Sequence, residues 1–505
     1  MSECRLVDLL QGMTDSEIVA DCMVSSITLD SRKVGPGSLF LACSGGDQHG
    51  LDYIEQALGN GAVAVLYELD DNWDKQKIEQ LDHDDAVPLI EIPRLSYRAS
   101  KIAGRFYGNP SRQMSVTGIT GTNGKTSSAI FLAQALSADG KCGVVGTIGN
   151  GFPGELAPST HTTPDPIELQ RLLGDLHKQG ASSISMEVSS HALEQGRVED
   201  VHFDVAVFTN LSRDHLDYHG SMEAYGESKL RLFKMPGIRC AVINLDDEFG
   251  RQILDRLPAG VLALGYGLKK QDEVPERLDG WAWAHDIKQD INGMSVKIQT
   301  SHGDGLLKTG LLGRFNVSNL LAVLKVLLSK GVPLEAALER ISKLKTVPGR
   351  MERFGGEDKP LVVVDYAHTP DALEHALEAA RAHTGAHMVC VFGCGGDRDT
   401  GKRPEMGAIA ERLADKVIVT DDNPRTEDGD WIITDILKGM ENPSDALVER
   451  DRAKAISKAI AGASAGDLVM VCGKGHEDYQ LVGDQRLDFS DGEHVQRALE
   501  EMAHD

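Results

Sequence analysis

The hexapeptide Gly121-Thr122-Asn123-Gly124-Lys125-Thr126 has the composition of a loop that wraps phosphate. Glycines let the backbone approach an anion, a lysine reaches the terminal phosphates, and a threonine hydroxyl can ligate Mg2+. The strand-like run MSVTGIT precedes it and the helical run SAIFLAQAL follows. Ile119 stands where the longer phosphate-loop pattern carries glycine, so the match is to a shorter GTNGKT form. This argues for a nucleoside triphosphate, with a structural turn as the alternative. In SMEVSSH, Glu187 follows another apolar run and can join a metal's shell. The same segment also reads as a helix cap formed by Ser189 or Ser190. NLSRDHLDYHGS carries His215 and His219 four apart, with Asp214 and Asp217 near them, which is no zinc signature. Beyond it, Ser221 can cap a helix on which Met222, Tyr225, Lys229 and Phe233 share one face. That places a lysine on a buried stripe, and in isolation a snorkelling lysine is the preferred reading. Finally, DDNPRTED (421–428) sets an Asp-Asn pair and an arginine on either side of a rigid proline. In isolation it also reads as a surface turn.

These clusters need strands and helices to hold them. From residue 113 apolar strand-like runs alternate with helical ones: MSVTGIT, CGVVGT, SSISME, VAVFTN and CAVINL. A helical pair ending in ERISKLKT and the segment VPGRMERF interrupt the pattern, which resumes with PLVVVDY, HMVCVFG, KVIVTD and DLVMVCG. Alternation of this kind predicts parallel sheets wrapped by helices. The first hundred residues mix SSITLD, SLFLACS, AVAVLYE and VPLIEIP with turn-rich connections, and SYRASKIAGRFYG reads as a helix leading out of them. The expected fold is α/β in three domains: a small N-terminal α/β domain (1–98), a central domain with a phosphate loop on a mostly parallel sheet (99–345), and a Rossmann-like C-terminal α/β domain (346–505). Seven polar clusters (GTNGKT, EVSSH, NLSRDH, DYAHTP, GCGGDRD, DDNPR and GKGHED) each follow an apolar run directly. In open parallel sheets ligands bind beyond the carboxyl ends of the strands.

Composition narrows the partners. A chain of 505 residues is too long for one compact core. A formal charge of −25 opposes general attraction to nucleic acid or anionic lipid, so an anionic ligand must be held by local Arg, Lys, backbone amides or bound cations. No run approaches the length of a membrane span, and MSECRLVDLLQGM is no signal peptide, so a cytoplasmic chain without membrane or nucleic-acid partners is expected. The eight cysteines are scattered; CVFGC is too widely spaced for a CxxC motif, and buried free thiols are the expectation.

GTNGKT, the EVSSH segment, NLSRDHLDYHGS with its downstream lysine, GRFNVSN and DYAHTPDAL run in order through the whole chain and together resemble the Mur ligases of peptidoglycan synthesis. The resemblance implies that ATP phosphorylates a substrate carboxylate to an acyl phosphate, which an incoming amine attacks. It implies ATP contacts from Gly121, Thr122, Asn123, Gly124, Lys125 and Thr126, and from Asn316, Arg350, Asp365 and His368 as the third domain closes. Lys125, Glu187, His215 and Lys229 take the catalytic roles. Two Mg2+ ions are implied, with Thr126, Glu187, His215 and Lys229 as ligands and Lys229 carbamylated to N6-carboxylysine. An unmodified ammonium near two divalent cations would be repelled.

Within that family LDSR (29–32), HTTPDP (161–166), Ser189 and QGR (195–197) resemble the ligase that extends UDP-N-acetylmuramoyl-L-Ala-D-Glu. The resemblance places Leu29, Ser31, Gly46, Asp47 and Gln48 near the uridine end, and Thr162, Thr163, Ser189, Gln195 and Arg197 on the sugar-peptide. His161 stands where some relatives carry Asn. The amino acid added is meso-diaminopimelate or L-lysine, which differ by one distal carboxylate. Arg425 offers the planar fork that a carboxylate needs. Asp422 and Asn423 offer acceptors for an ammonium, and Pro424 restricts the loop. Arg398, Gly473 and Glu477 match the remaining amino-acid contacts. DNPR resembles the diaminopimelate-adding branch, whereas lysine-adding relatives generally lack its arginine. The expectation is a monomeric ligase acting on these small molecules. Its rivals are a lysine-adding ligase, the more distant folylpolyglutamate synthase, and a non-catalytic nucleotide-binding regulator, against which Lys125, Thr126, Glu187, His215 and Lys229 argue.

Overall fold

A computed structural model describes residues 3–14, 21–45, 48–81, 87–268 and 274–502. The chain forms two compact units, residues 1–264 with 276–279, and residues 265–275 with 280–505.

The first unit holds two parallel sheets. The N-terminal one pairs Ser26–Thr28, Ser38–Ala42, Ala62–Tyr67 and Leu89–Glu91 in that order. Its side chains alternate between two cores, Leu39, Leu41, Ala64 and Leu66 on one face and Phe40, Ala42, Val65 and Tyr67 on the other. Both faces are buried, which is why these strands read as continuous apolar runs. The helix Leu95–Phe106 packs its Leu95, Ala99, Ile102 and Ala103 stripe into the first of those cores.

The central sheet places Lys141–Val145, Ala181–Glu187, Ser115–Thr120, Val205–Phe208 and Cys240–Asn244 side by side, all parallel. Ser115–Thr120 lies in the middle, so the loop after it opens at the centre of the sheet's carboxyl edge. The helix that follows, Lys125–Leu136, buries nearly its whole length, as expected for a helix apolar on all sides.

The second unit begins with an antiparallel meander, Gly280–Asp290, Gly293–Thr300 and Gly303–Thr309. The alternating-run pattern had not signalled it. Its main sheet runs Glu352–Gly355, Leu361–Asp365, Leu468–Cys472, Met388–Phe392, Lys416–Val419 and Leu447–Val448, parallel apart from the first strand. All seven polar clusters noted in the sequence do follow strand ends. No helix among the described residues is long and apolar enough to cross a membrane. All eight cysteines are free, but Cys4, Cys22 and Cys43 are only half-buried, so the expectation of buried thiols holds for five of them.

Behind the second sheet Arg452 and Asp491 form a fully buried bidentate pair, Nε to Oδ1 and Nη2 to Oδ2 both at 2.7 Å. Nη2 also donates to the Cys472 carbonyl at 3.0 Å. Breaking such a pair leaves a buried charge without its partner. Asp491→Ala is therefore expected to lower unfolding stability by about 3–5 kcal/mol, read by denaturant titration.

Candidate active site

In the first unit the Gly121–Thr126 loop is tied down by the segment Thr209–Ser212. Thr122 N donates to the Asn210 carbonyl at 2.8 Å, Asn123 N to Asn210 Oδ1 at 2.9 Å, and Thr209 Oγ1 to the Asn123 carbonyl at 2.6 Å. Gly121 adopts φ +149°, and a Cβ there would lie 1.9 Å from Thr209 Oγ1, so only glycine fits. Its carbonyl accepts from two lysine nitrogens, Lys125 Nζ at 2.9 Å and Lys229 Nζ at 3.0 Å.

Lys229 is almost fully buried on the helix Met222–Phe233, which Ser221 caps by accepting from Ala224 N. Its nitrogen sits 4.1 Å from the centroid of the Tyr225 ring. Burial, and then the neighbouring charge of Lys125, push its pKa down to about 6, so the amine is largely neutral at pH 7. The snorkelling alternative does not hold, because the side-chain nitrogen ends on an internal carbonyl.

Glu187 accepts from Thr126 Oγ1 at 2.8 Å and from Thr147 N at 2.7 Å. Thr147 shares a 3.0 Å hydroxyl contact with Thr162. Thr163 Oγ1 donates to the Glu187 carbonyl at 2.8 Å and accepts from Ser189 N at 3.1 Å. Ser189 also caps the helix Ser190–Glu194, as the cap reading of this segment expected. Arg197 Nη1 donates to the Thr163 carbonyl at 2.9 Å, and its Nε to Gln195 Oε1 at 2.9 Å. Gln195 in turn donates to the Tyr218 hydroxyl at 3.1 Å. Thr162, Thr163, Ser189, Gln195 and Arg197 thus form one connected patch beside Glu187. Thr147 and Tyr218 belong to it and were missed. The threonine that ends the run CGVVGT was the available signal.

His215 stands at one side, half exposed, at φ +52°. Its ring centroid is 4.8 Å from that of His191 and 6.2 Å from that of Tyr225. No three His, Cys, Asp or Glu among the described residues surround one point. Two of the four expected ligands, Thr126 and Lys229, are of other types. Ser31 lies in the N-terminal domain with its hydroxyl donating to Gln56 Oε1 at 2.7 Å, Leu29 packs on that domain's core, and Gln48 accepts from the Tyr53 hydroxyl. Gly46 and Asp47 lie outside the described residues.

In the second unit Arg350, Asp365 and His368 gather around Tyr366. The Arg350 guanidinium lies 4.8 Å from that ring's centroid and the His368 ring 4.6 Å from it. Asp365 accepts from Met351 N at 2.8 Å and Ala367 N at 2.9 Å, and burial raises its pKa. Asn316 is buried in its own helix, donating to the Leu312 carbonyl at 2.8 Å.

Two loops at adjacent strand ends, 395–398 and 422–427, clamp each other. Gly396 N donates to the Asn423 carbonyl at 2.9 Å, Arg425 Nη1 to the Gly396 carbonyl at 2.7 Å, and Thr426 Oγ1 to Asp397 Oδ1 at 2.8 Å. Buried Arg403 holds Glu427 through contacts of 2.8 and 2.9 Å. Arg398 and Arg425 consequently flank Gly395: a Cβ there would lie 2.8 Å from Arg425 Nη1 and 3.9 Å from Arg398 Cγ. Asp422 is buried beside Gly473, and burial raises its pKa. Gly473 has φ +120°, and a Cβ there would sit 2.7 Å from Asp422 Oδ2. Gly473→Ala is expected to lower unfolding stability by about 1–3 kcal/mol in a denaturant titration, through backbone strain and that clash. Asn423 Oδ1 accepts from Lys474 Nζ at 3.0 Å and Leu481 N at 2.9 Å, and Asn423 Nδ2 donates to Glu477 Oε2 at 2.9 Å. The sequence reading had not identified Lys474, Tyr366 or the hairpin Tyr479–Asp488.

Fold and site define a three-domain α/β protein with a phosphate loop at the centre of one parallel sheet and a mixed-charge pocket at the edge of another. Three family profiles match it: the Mur ligase family catalytic domain over residues 23–107, the Mur ligase middle domain over 119–327, and the Mur ligase glutamate ligase domain over 349–475. The chain belongs to the Mur ligase family. A Pseudomonas aeruginosa protein named UDP-N-acetylmuramoyl-L-alanyl-D-glutamate–2,6-diaminopimelate ligase is 51% identical over 95% of this chain and 96% of its own. A Coxiella burnetii protein of the same name is 49% identical over 98% and 99%. A solved structure of a ligase with that name superposes with a TM-score of 0.74 at 35% identity, covering both chains fully.

Proposed function

We propose that this chain joins meso-2,6-diaminopimelate to the D-Glu carboxylate of UDP-N-acetylmuramoyl-L-Ala-D-Glu at the expense of ATP, as a monomer in the cytoplasm. The terminal phosphoryl group of ATP passes to a carboxylate oxygen, giving ADP and an acyl phosphate. The neutral amine then attacks the acyl carbon: the C–N bond forms, the C–O bond to phosphate breaks, and phosphate and the amine's proton leave. The protein's task is positioning and charge neutralisation.

Lys125 and the loop amides of Gly121 to Thr126 are the proposed phosphate contacts, with Arg350, Asp365, His368 and Asn316 on the rest of the nucleotide. The hydroxyl of Thr126 and the carboxylate of Glu187, 2.8 Å apart, are hard oxygen donors of the kind Mg2+ takes. Two Mg2+ ions are proposed, with Lys229 and His215 completing the donor set; bound there, they would offset the charge of the phosphates. Lys229 fits carbamylation because its amine is largely neutral at pH 7: the neutral nitrogen adds to CO2, a proton leaves, and an anionic carboxylate stands where the amine was. Leu29, Ser31 and Gly46 to Gln48 are assigned to the uridine end, and the patch from Thr162 to Arg197 to the sugar-peptide.

The observation that carries the choice of amino acid is the pair Arg398 and Arg425 flanking Gly395, on the same sheet edge as Asp422 and Glu477. A diamino diacid has a distal carboxylate for such a fork and a distal ammonium for the acceptors. The test is ADP release with the UDP-linked dipeptide and meso-diaminopimelate, LL-diaminopimelate or L-lysine. Preference for the meso isomer is expected. Equal use of lysine would overturn the role of the arginines, and no ADP release with any acceptor would overturn the ligase reading.

A further inference from the structure

Lys474 is completely buried, and no step above uses it. Its Nζ donates to Asn423 Oδ1 at 3.0 Å and to Glu477 Oε2 at 3.3 Å, and lies 3.8 Å from Asp422 Oδ1. Asn423 Nδ2 closes the triangle by donating to the same Glu477 Oε2 at 2.9 Å. Leu481 N takes the second acceptor position on Asn423 Oδ1 at 2.9 Å, and Gln480 Nε2 holds the Asp422 carbonyl at 2.7 Å. Three residues assigned above to the incoming amino acid therefore converge on one ammonium of the protein itself.

Two consequences follow. The Asn423 amide is spent inside the protein, so it braces the loop rather than offering a free acceptor. Glu477 has both bonds on Oε2, while its Oε1 has no partner among the described residues and its side chain stays partly exposed. The carboxylate is thus rotationally fixed with one oxygen left for a ligand. Asp422, beside it, forms a 3.8 Å ion pair with Lys474 that is too long for a hydrogen bond, and Arg452 is committed to Asp491. A buried acceptor end with a fixed carboxylate oxygen and a second carboxylate beside it suits an alkylammonium.

We propose that Lys474 is a positioning residue of the amino-acid pocket, orienting Glu477 and Asn423 so that the pocket's acidic end recognises the distal ammonium of the incoming amino acid. This rests on the ligase reading above. Without Lys474, Glu477 loses one of its two orienting donors and Asn423 one of the two donors to its oxygen. Glu477 can then turn toward Asn423 alone or toward water.

The test compares the wild-type chain with K474M and K474Q, using ADP release. The acceptors are meso-diaminopimelate and 2-aminopimelate, which lacks the distal amine. K474M is expected to raise the KM for meso-diaminopimelate about tenfold or more, the scale of losing orienting bonds to charged groups. The KM values for ATP and the UDP-linked dipeptide should stay within about twofold, and the preference over 2-aminopimelate should fall toward equality. K474Q, which keeps a donor without the charge, should recover part of the loss. A folded K474M with unchanged KM and unchanged preference overturns the inference, as does an equal rise in all three KM values. Failure of both variants to fold would make Lys474 a folding residue and overturn it too. A wild-type chain that uses no acceptor overturns the ligase reading and this inference together; wild-type activity with an unaffected K474M overturns only the inference.

Discussion

Lys229→Met is expected to lower turnover by about 10²–10³-fold, the cost of removing one preorganised electrostatic group from a reaction centre, while the chain still folds. Methionine keeps the length and apolar stem of the side chain among buried Tyr225, Leu232 and Phe233. What it loses is the nitrogen held 3.0 Å from the Gly121 carbonyl, and with it any carbamate. The pH dependence has a definite sign. The folded pKa of the free amine is about 6, below its ordinary value near 10.5. Between these values the unfolded chain holds a proton that the folded chain does not, so this group makes stability rise with pH across that window. Below pH 6 both states are protonated and the penalty is complete. Lys229→Met should erase that slope in denaturant titrations at pH 6 and pH 9. Intact-mass measurement in bicarbonate should show one CO2 on the wild-type chain and none on the variant. Turnover within about threefold of wild type would refute the role given to Lys229.

Arg425→Lys is expected to raise the KM for meso-diaminopimelate by about 10–10²-fold, corresponding to one or two charge-assisted hydrogen bonds, and to leave ATP binding unchanged. The backbone at Arg425 is held at φ +53° by two bonds to the hairpin, Arg425 N to the Leu481 carbonyl at 3.0 Å and Gly483 N to the Arg425 carbonyl at 2.7 Å. One arm of the guanidinium anchors on the Gly396 carbonyl at 2.7 Å. The fork can keep that anchor and still present donors to a carboxylate. An ammonium lacks the planar geometry for doing both. Kinetics with meso-diaminopimelate and L-lysine side by side would decide the matter: the variant should lose its advantage for the diacid and keep whatever use of lysine the wild type has. Unchanged diaminopimelate kinetics would refute the bidentate reading.

The mutual clamping of residues 395–398 and 422–427 explains why these effects should be specific. Asp397 accepts from Thr426, Glu427 is held by Arg403, and Gly396 is bonded at both its N–H and its carbonyl. Apart from the Arg425 Nη1 bond to the Gly396 carbonyl, Arg398 and Arg425 are brought together by backbone and carboxylate contacts that a substitution at either guanidinium leaves in place.

Much of this molecule was legible in its local chemistry. Apolar runs alternating with helical ones required parallel sheets, because a strand covered on both faces carries apolar residues at every position. The polar clusters then had to fall at the carboxyl ends, and GTNGKT, EVSSH, DYAHTP and DDNPR do. Glycine at 121 and a capping serine at 221 were readable because each answers a demand of the backbone within a few residues. What the chain order could not reveal were partnerships formed across long separations. Thr147 reaches Glu187 forty residues away, Lys474 reaches Asn423 fifty-one away, and Lys229 reaches Gly121 one hundred and eight away. Whether a lysine on an apolar stripe snorkels outward or ends on a buried carbonyl depends on what the opposite strand end presents, and a periodic pattern holds no record of that. The same holds for Asn423, an available acceptor by its chemistry and a spent one once Lys474 and Leu481 have packed against it. Local periodicity decided the sheets and the loops at their edges; packing decided which side chains in those loops remain free to meet a ligand.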